Sequence, residues 1–291
     1  MRKKIKYQGA ITKILCQKLA ERNKNSFRKA VQKIDFSSFV TTQQVDFDII
    51  SFSGKASFED QMLSILSFIT YAGIPKKWTI YSDKTYTDAQ IEILKEKFPF
   101  LLIKDWDTYN RLVDNAAFND YYQQGYSMAK KLNVIIGHPC NGQTIYIDSD
   151  ILCYSNISSY LNSGLLSKGL WYAPDTMWGS TAGYFDTKKE SIYSLNAGFL
   201  ILNKDFNQDD IVVYFESLKG EFHYFSEQSS FEYAFRKQHA NMLDPRQFII
   251  DTADQFDFSA KYHPDSIAMR HYTTPVRHKI WQYGWKWHLK A

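Results

Sequence analysis

Asp148 and Asp150, separated by Ser149, follow directly on the apolar run Thr144-Ile145-Tyr146-Ile147. Residues spaced by one along an extended segment point the same way, so this spacing predicts paired carboxylates at the exit of a buried strand. Two like charges in that position call for a divalent cation, which offsets their repulsion and whose open ligand positions suit phosphate oxygens. A solvated turn is the plainer reading of the tripeptide taken alone, because Asp and Ser are ordinary turn residues. Further along, Asn196-Ala197-Gly198 reads as a polar turn before an apolar strand, with Gly198 admitting close backbone approach to a ligand. Glu227-Gln228 opens a helix predicted over 229–236, at the end where negative charge and hydrogen-bond acceptors are favoured.

Elements that would position these groups are visible upstream. The segment 47–53 reads as a strand, 59–71 as a helix with Met62, Ile65, Leu66 and Ile69 on one side, and 78–82 as the next strand. Thr87 and Gln90 form a capping box that starts a helix through Lys97, Pro99 marks its end, and 101–103 is a short buried strand. This alternation predicts an α/β chain with a mostly parallel sheet covered by helices. Ligands of such sheets bind beyond the carboxyl ends of the strands, where Ser53, Asp83 and the acidic pair fall together. A single helix is expected over 121–136, with Lys130 facing the crevice and Lys131 in solvent. The loop 178–185, rich in aromatic and small polar residues, and the strand 170–174 before it offer ring faces for a sugar. No Gly-x-Gly-x-x-Gly fingerprint and no phosphate-binding loop motif occurs, which argues against a dinucleotide dehydrogenase or a P-loop NTPase.

Charge is unevenly spread. Residues 1–34 carry eleven Lys or Arg against the single acid Glu21, whereas the remainder holds 24 basic and 30 acidic residues. Tyr7, Ile11, Ile14, Leu15 and Leu19 recur at helical spacing within that basic segment. The expected domain plan is a basic helical extension over 1–44 followed by a catalytic domain over 45–291. The apolar stripe serves either peripheral contact with an anionic membrane face through residues 1–34 or packing against the body. Nucleic acid is not an expected partner, because no recognised binding module accompanies the charge. Three scattered cysteines, no membrane-length apolar run and no signal-peptide core make the cytoplasm the expected compartment. The tail 280–290, alternating aromatic and basic residues, reads as an acceptor seat, a lid, or a segment docked on the core.

The ordered set Ile145-Tyr146-Ile147-Asp148-Ser149-Asp150, Asn196-Ala197-Gly198, Glu227-Gln228 and His271-Tyr272 with Lys279 and Trp281 resembles the GT-A glycosyltransferases, and most of all glycosyltransferase family 8, the group that includes glycogenin. The resemblance covers roughly residues 45 to 281 and implies a GT-A, Rossmann-like fold. It also implies that Asp148, Asp150 and His271 hold Mn²⁺, with Mg²⁺ as the alternative, and that Asp148 and Asn196 contact the donor. Lys130, Ser53 and Asp83 complete the expected donor-binding set. The family's His-x-x-Gly-x-x-Lys-Pro-Trp ending is altered: Arg277 occupies the Lys spacing and Lys279 lies two residues later, so both are candidates for the diphosphate. Glu227-Gln228 replaces the usual Asp-Gln and supplies the candidate catalytic pair.

The activity so implied is transfer of a sugar, with retention, from a nucleotide-diphosphate sugar, UDP-sugar foremost, to a glycan or lipid-linked acceptor. An inverting enzyme would instead need a base on the acceptor hydroxyl, for which Glu227, Asp175 and Asp186 are candidates. Two other classes fit a related sheet: a nucleotidyltransferase that makes sugar nucleotides, and a carbohydrate-binding protein without turnover.

Overall fold

The computed structural model describes residues 2–39, 43–111, 115–176 and 193–289. The loop 178–185 and Asp186 lie outside them. Strands β1 (Gln44–Ser53), β2 (Ile74–Ser82) and β3 (Leu101–Asp105) alternate with α-helices at Phe58–Tyr71 and Asp88–Lys97, as the apolar runs require. The capping box forms as expected, Thr87 accepting from the Gln90 amide while the Gln90 side chain returns to the Thr87 N–H. β4 (Thr144–Ile147), β6 (Trp171–Asp175), β7 (Ser194–Leu202) and β8 (Asn241–Met242) complete a seven-stranded sheet of order β3-β2-β1-β4-β7-β6-β8. The β1–β2, β2–β3, β1–β4 and β6–β8 pairs are parallel, and β7 runs antiparallel to both neighbours. Every residue of β4 and of β7 is buried, which fits strands with a helical layer on each face.

A second sheet was not expected. β5 (Ile151–Cys153), β9 (Phe248–Ile249) and β10 (Met269–His271) form it in the order β5-β10-β9. These strands have two or three residues each, too short to display a period. The chain therefore leaves β4 in the large sheet at Ile147 and enters the small sheet at Ile151, with Asp148-Ser149-Asp150 as the crossing.

Two other expectations are corrected. The segment 121–136 is not one helix: Ala116–Gln123 and Met128–Gly137 are separate, and Gly125 between them has φ +84°, a conformation that ends a right-handed helix. The N-terminal helix Arg2–Lys33 packs on the body, but through Cys16, Ala20, Phe27 and Val31, all almost fully buried. Ile11, Ile14, Leu15 and Leu19 are 59%, 51%, 52% and 40% exposed and face away; the Tyr7 side chain lies outside the described ones. Phe27, Val31 and Phe36 belong to the same apolar cluster as Phe47 and Ile49 of β1. The N-terminal helix also clasps the C-terminal segment, with Lys24 3.8 Å over the Trp281 ring and Phe27 against Trp285 at 6.2 Å.

Of the three readings of the tail, docking is the one its described part follows: Trp281 donates to Asp60, Trp285 donates to the Trp281 carbonyl, and His288 is buried against Tyr71 and Tyr154. Neither His288 ring nitrogen has a partner, and burial holds its pKa down at about 3 from an ordinary 6.5. The ring is neutral in both states near pH 7.5. Below 6.5 the unfolded chain takes up a proton that the folded chain refuses until about 3, so stability is lost as pH falls through that window, by up to about 1.4 kcal/mol per unit. His288→Phe keeps the ring and removes the titration. Between about pH 7.5 and 5.5 its loss of urea-unfolding free energy is expected to be about 1.4 kcal/mol smaller than that of the wild type. Equal losses would place the acid sensitivity elsewhere.

Candidate active site

The chain runs outward from β1 to β2 and β3, then returns to place β4 on the other side of β1. Such a reversal leaves a crevice at the carboxyl ends of the strands. A cavity of about 610 Å³ occupies this end, within the range of small-ligand sites. Ser53, Asp83, Asp148, Asp150, Asn196, Glu227, Gln228, His271 and Arg277 all line it.

Asp148 and Asp150 converge here for a reason other than strand alternation. They sit in a turn, closed by the Ile151 N–H on the Asp148 carbonyl at 3.2 Å, and each is tied to a different sheet. The Asp148 N–H donates to the Gly198 carbonyl of β7, and the Asp150 carbonyl accepts from the Tyr272 N–H beside β10, both at 2.9 Å. His271, on β10, closes the group: ligand atoms of Asp148, Asp150 and His271 all lie within 4.8 Å of one another.

The hydrogen bonds define which nitrogen of His271 faces the carboxylates. Asn196 Oδ1 accepts from the Gly198 N–H at 2.9 Å, and its Nδ2 donates to Asp175 at 3.3 Å, which sets the amide orientation. His271 Nδ1, 2.9 Å from that Oδ1, must therefore be the N–H donor. Nε2 is left 3.1 Å from Asp150 Oδ1 and 3.7 Å from Asp148 Oδ2. A lone pair facing two carboxylates is repulsive unless a proton or a cation lies between them. Two carboxylates and an imidazole oriented from behind by a side-chain oxygen are a donor set that fits a divalent cation.

Asn196-Ala197-Gly198 is not a turn before β7 but part of that strand, where the β6–β7 register shifts between Tyr172 and Ala173. The close approach that Gly198 permits is to His271, since a Cβ there would lie 2.3 Å from the ring Cε1.

Charges below the acidic pair are arranged by two helices. Lys131, on Met128–Gly137, reaches Asp148 Oδ2 at 3.1 Å and Glu227 Oε1 at 3.6 Å. Burial works against its charge, yet Asp148 and Glu227 together hold the ammonium above its ordinary pKa. Glu227, in the first turn of Ser226–Lys237, is pushed up to about 7 by burial, partly offset by Lys131 and reinforced by Asp148. Tyr146 donates to Asp148 Oδ1 at 2.6 Å. Burial alone would raise the Asp150 carboxyl; the His271 ring when protonated and the Arg277 guanidinium hold it well below the usual carboxylate range. Arg277 bridges Asp150 and the buried Asp60, at 3.5 and 3.3 Å.

Two expected contributors are not brought to the cavity. Lys130 lies over the Trp106 ring at 5.2 Å, and its place is taken by Lys131, the neighbour expected in solvent. The signal was present: the residues three and four beyond Lys131 are both apolar, Val134 and Ile135, whereas the residue three beyond Lys130 is the polar Asn133. Lys279 turns away to donate to the Asp257 carbonyl, leaving Arg277 as the cavity's basic residue from that segment. Asp60 and Tyr146 escaped the sequence reading; Asp60 sits among the apolar residues of its helix with only its burial to mark it.

No protein-family model and no curated protein matches the sequence. Solved structures do match in fold. The galactosyltransferase LgtC, in complex with donor and acceptor sugar analogues, superposes with a TM-score of 0.57 at 14% identity, covering 83% of this chain and 94% of LgtC. Mouse xyloside xylosyltransferase 1 gives 0.52 at 14% identity, covering 80% and 99%. The glycosyltransferase GlyE of Streptococcus pneumoniae gives 0.52 at 12% identity, covering 84% and 62%. The chain has the GT-A fold of these glycosyltransferases.

Proposed function

We propose that this chain is a metal-dependent glycosyltransferase related to family 8, moving a sugar from a nucleotide-diphosphate sugar, UDP-sugar foremost, to a glycan or lipid-linked acceptor. The observation that carries this reading is the convergence of Asp148, Asp150 and His271 at the wall of the cavity beyond β1 and β4. Asp148, Asp150 and His271 would hold Mn²⁺, or Mg²⁺ in its place, which when bound supplies positive charge to the departing diphosphate. Arg277, held by Asp60, adds a fixed cation on the same side, where negative charge develops as the glycosidic bond breaks. Ser53 and Asp83, at the ends of β1 and β2, line the cavity where the nucleoside would lie.

Glu227 and Gln228 face the reacting sugar in this reading. Glu227 lines the cavity, and its buried Oε1 lies 3.6 Å from Lys131 Nζ, longer than a full hydrogen bond, which leaves it able to accept from a sugar hydroxyl or to face a developing oxocarbenium ion. Lys131 keeps Glu227 and Asp148 apart as separate charges. Tyr224 and Phe225, both exposed and in edge contact at 5.1 Å, line the cavity as well and give the acceptor a ring face to stack on. Retention follows the family resemblance. In the inverting alternative the base is Glu227 or Asp175, which also lines the cavity.

Purified protein incubated with UDP-, GDP- and CMP-sugars should release free nucleoside diphosphate or monophosphate slowly to water from one donor class, with Mn²⁺ and not with chelator. Pyrophosphate release would indicate a nucleotidyltransferase. Metal-dependent binding of a donor with no release, even with candidate glycan acceptors, would indicate the carbohydrate-binding alternative.

A further inference from the structure

We infer that the outer face of the N-terminal helix is a docking surface for an anionic lipid bilayer. Ile11, Ile14, Leu15, Lys18, Leu19 and Arg22 recur at steps of three and four residues, so they form one stripe, and all six are exposed. The opposite stripe of Cys16, Ala20, Phe27 and Val31 already anchors this helix to the body. Packing is therefore satisfied without the outer stripe, and four large apolar side chains are left facing water on a single helix.

Charge identifies the occupant. The first 34 residues carry eleven Lys or Arg against one acid, and the rest of the chain is net acidic. An anionic surface attracts the helix and repels the body, which orients the protein with the helix against the surface. A second copy of this chain is disfavoured, because Lys18 and Arg22 lie inside the stripe and would face like charges in a self-paired helix. Phosphates of a nucleic acid would satisfy the lysines and leave the four apolar side chains in water. A bilayer interface satisfies both, with the apolar side chains entering the acyl boundary and the basic ones staying at the headgroups. Among the described residues no helix is long and apolar enough to cross a membrane, so the contact is peripheral.

The test is co-sedimentation of the full chain with vesicles of phosphatidylcholine alone or with about one third phosphatidylglycerol. Wild type is expected to bind the anionic vesicles at least about tenfold more tightly and to be released by salt, since each basic side chain near the surface strengthens binding about fivefold. Ile14→Ser with Leu15→Ser, and separately Lys18→Glu with Arg22→Glu, are each expected to weaken binding on the order of tenfold or more. Both pairs point outward, so the thermal midpoint should stay at the wild-type value and report intact folding. The inference is overturned if wild type ignores anionic vesicles, or if folded variants bind them as wild type does. It is also overturned if light scattering shows a dimer that the Ile14/Leu15 variant dissolves, or if duplex DNA is bound and vesicles are not.

Discussion

Asp150→Ala is expected to lower metal-dependent nucleotide release by about a thousandfold, close to the level that chelator leaves in the wild type. Loss of a bound cation's charge at the departing diphosphate is worth several kcal/mol, and about 4 kcal/mol corresponds to that factor. The variant should fold, because Arg277 keeps Asp60 as a partner and the backbone bond from Tyr272 to residue 150 does not depend on the side chain. The companion measurement is the thermal midpoint with and without Mn²⁺. Wild type should be stabilised by the ion, as any ligand bound to the folded state stabilises it, and Asp150→Ala should not respond. A folded variant that retains release and the Mn²⁺ response would remove Asp150 from the site.

Gly198→Ala is expected to cost about a hundredfold or more, through one methyl group that meets the His271 ring and Asn196. Its Cβ would lie 2.3 Å from His271 Cε1, 2.7 Å from Nδ1 and 2.8 Å from Asn196 Oδ1. None of these atoms can yield freely: β7 is buried along its whole length, and the ring is tied through Nδ1 to Asn196. Either the imidazole moves off the carboxylates or the strand shifts, and misplacement by about 1 Å in a reacting site costs on the order of a hundredfold in rate. Overpacking of this kind should also lower stability by about 1–3 kcal/mol. Donor release falling about a hundredfold or more, with a Mn²⁺ response shifted to higher concentration, is the expected result. Unchanged Mn²⁺ dependence in a folded Gly198→Ala protein would mean that His271 is not a ligand.

Much of this architecture was legible because several independent signals agreed. The alternation from β1 to β3 rests on apolar runs of ordinary length and on the Thr87–Gln90 cap, each of which acts locally. Asp148 and Asp150 stood out for the same reason, as charges at the end of an apolar run. His271 carries no such local mark, and only the ordered motifs of a resembling family pointed to it.

What escaped was decided by tertiary contacts. Lys130 and Lys131 are adjacent, and their roles differ only through which face of their helix turns inward. Arg277 and Lys279, two residues apart, are separated by the turn that holds Arg277: it enters the cavity, while Lys279 is drawn to the Asp257 carbonyl. The N-terminal helix holds two apolar stripes; the one that packs is built from Cys16, Ala20, Phe27 and Val31 and is the less conspicuous in sequence. The small sheet could not be foreseen from strands of two and three residues.

The crossing at Asp148-Ser149-Asp150 has a mechanical meaning. Asp148 is tied by its backbone to the large sheet and Asp150, with His271, to the small one, so a cation held by all three would rivet the two sheets together. Prising the small sheet away and losing the cation then become one event. Under thermodynamic linkage, the free energy that the ion gains on binding reappears as resistance of β5 and β10 to opening. Amide exchange along those two short strands becomes a gauge of metal occupancy that requires no knowledge of donor or acceptor.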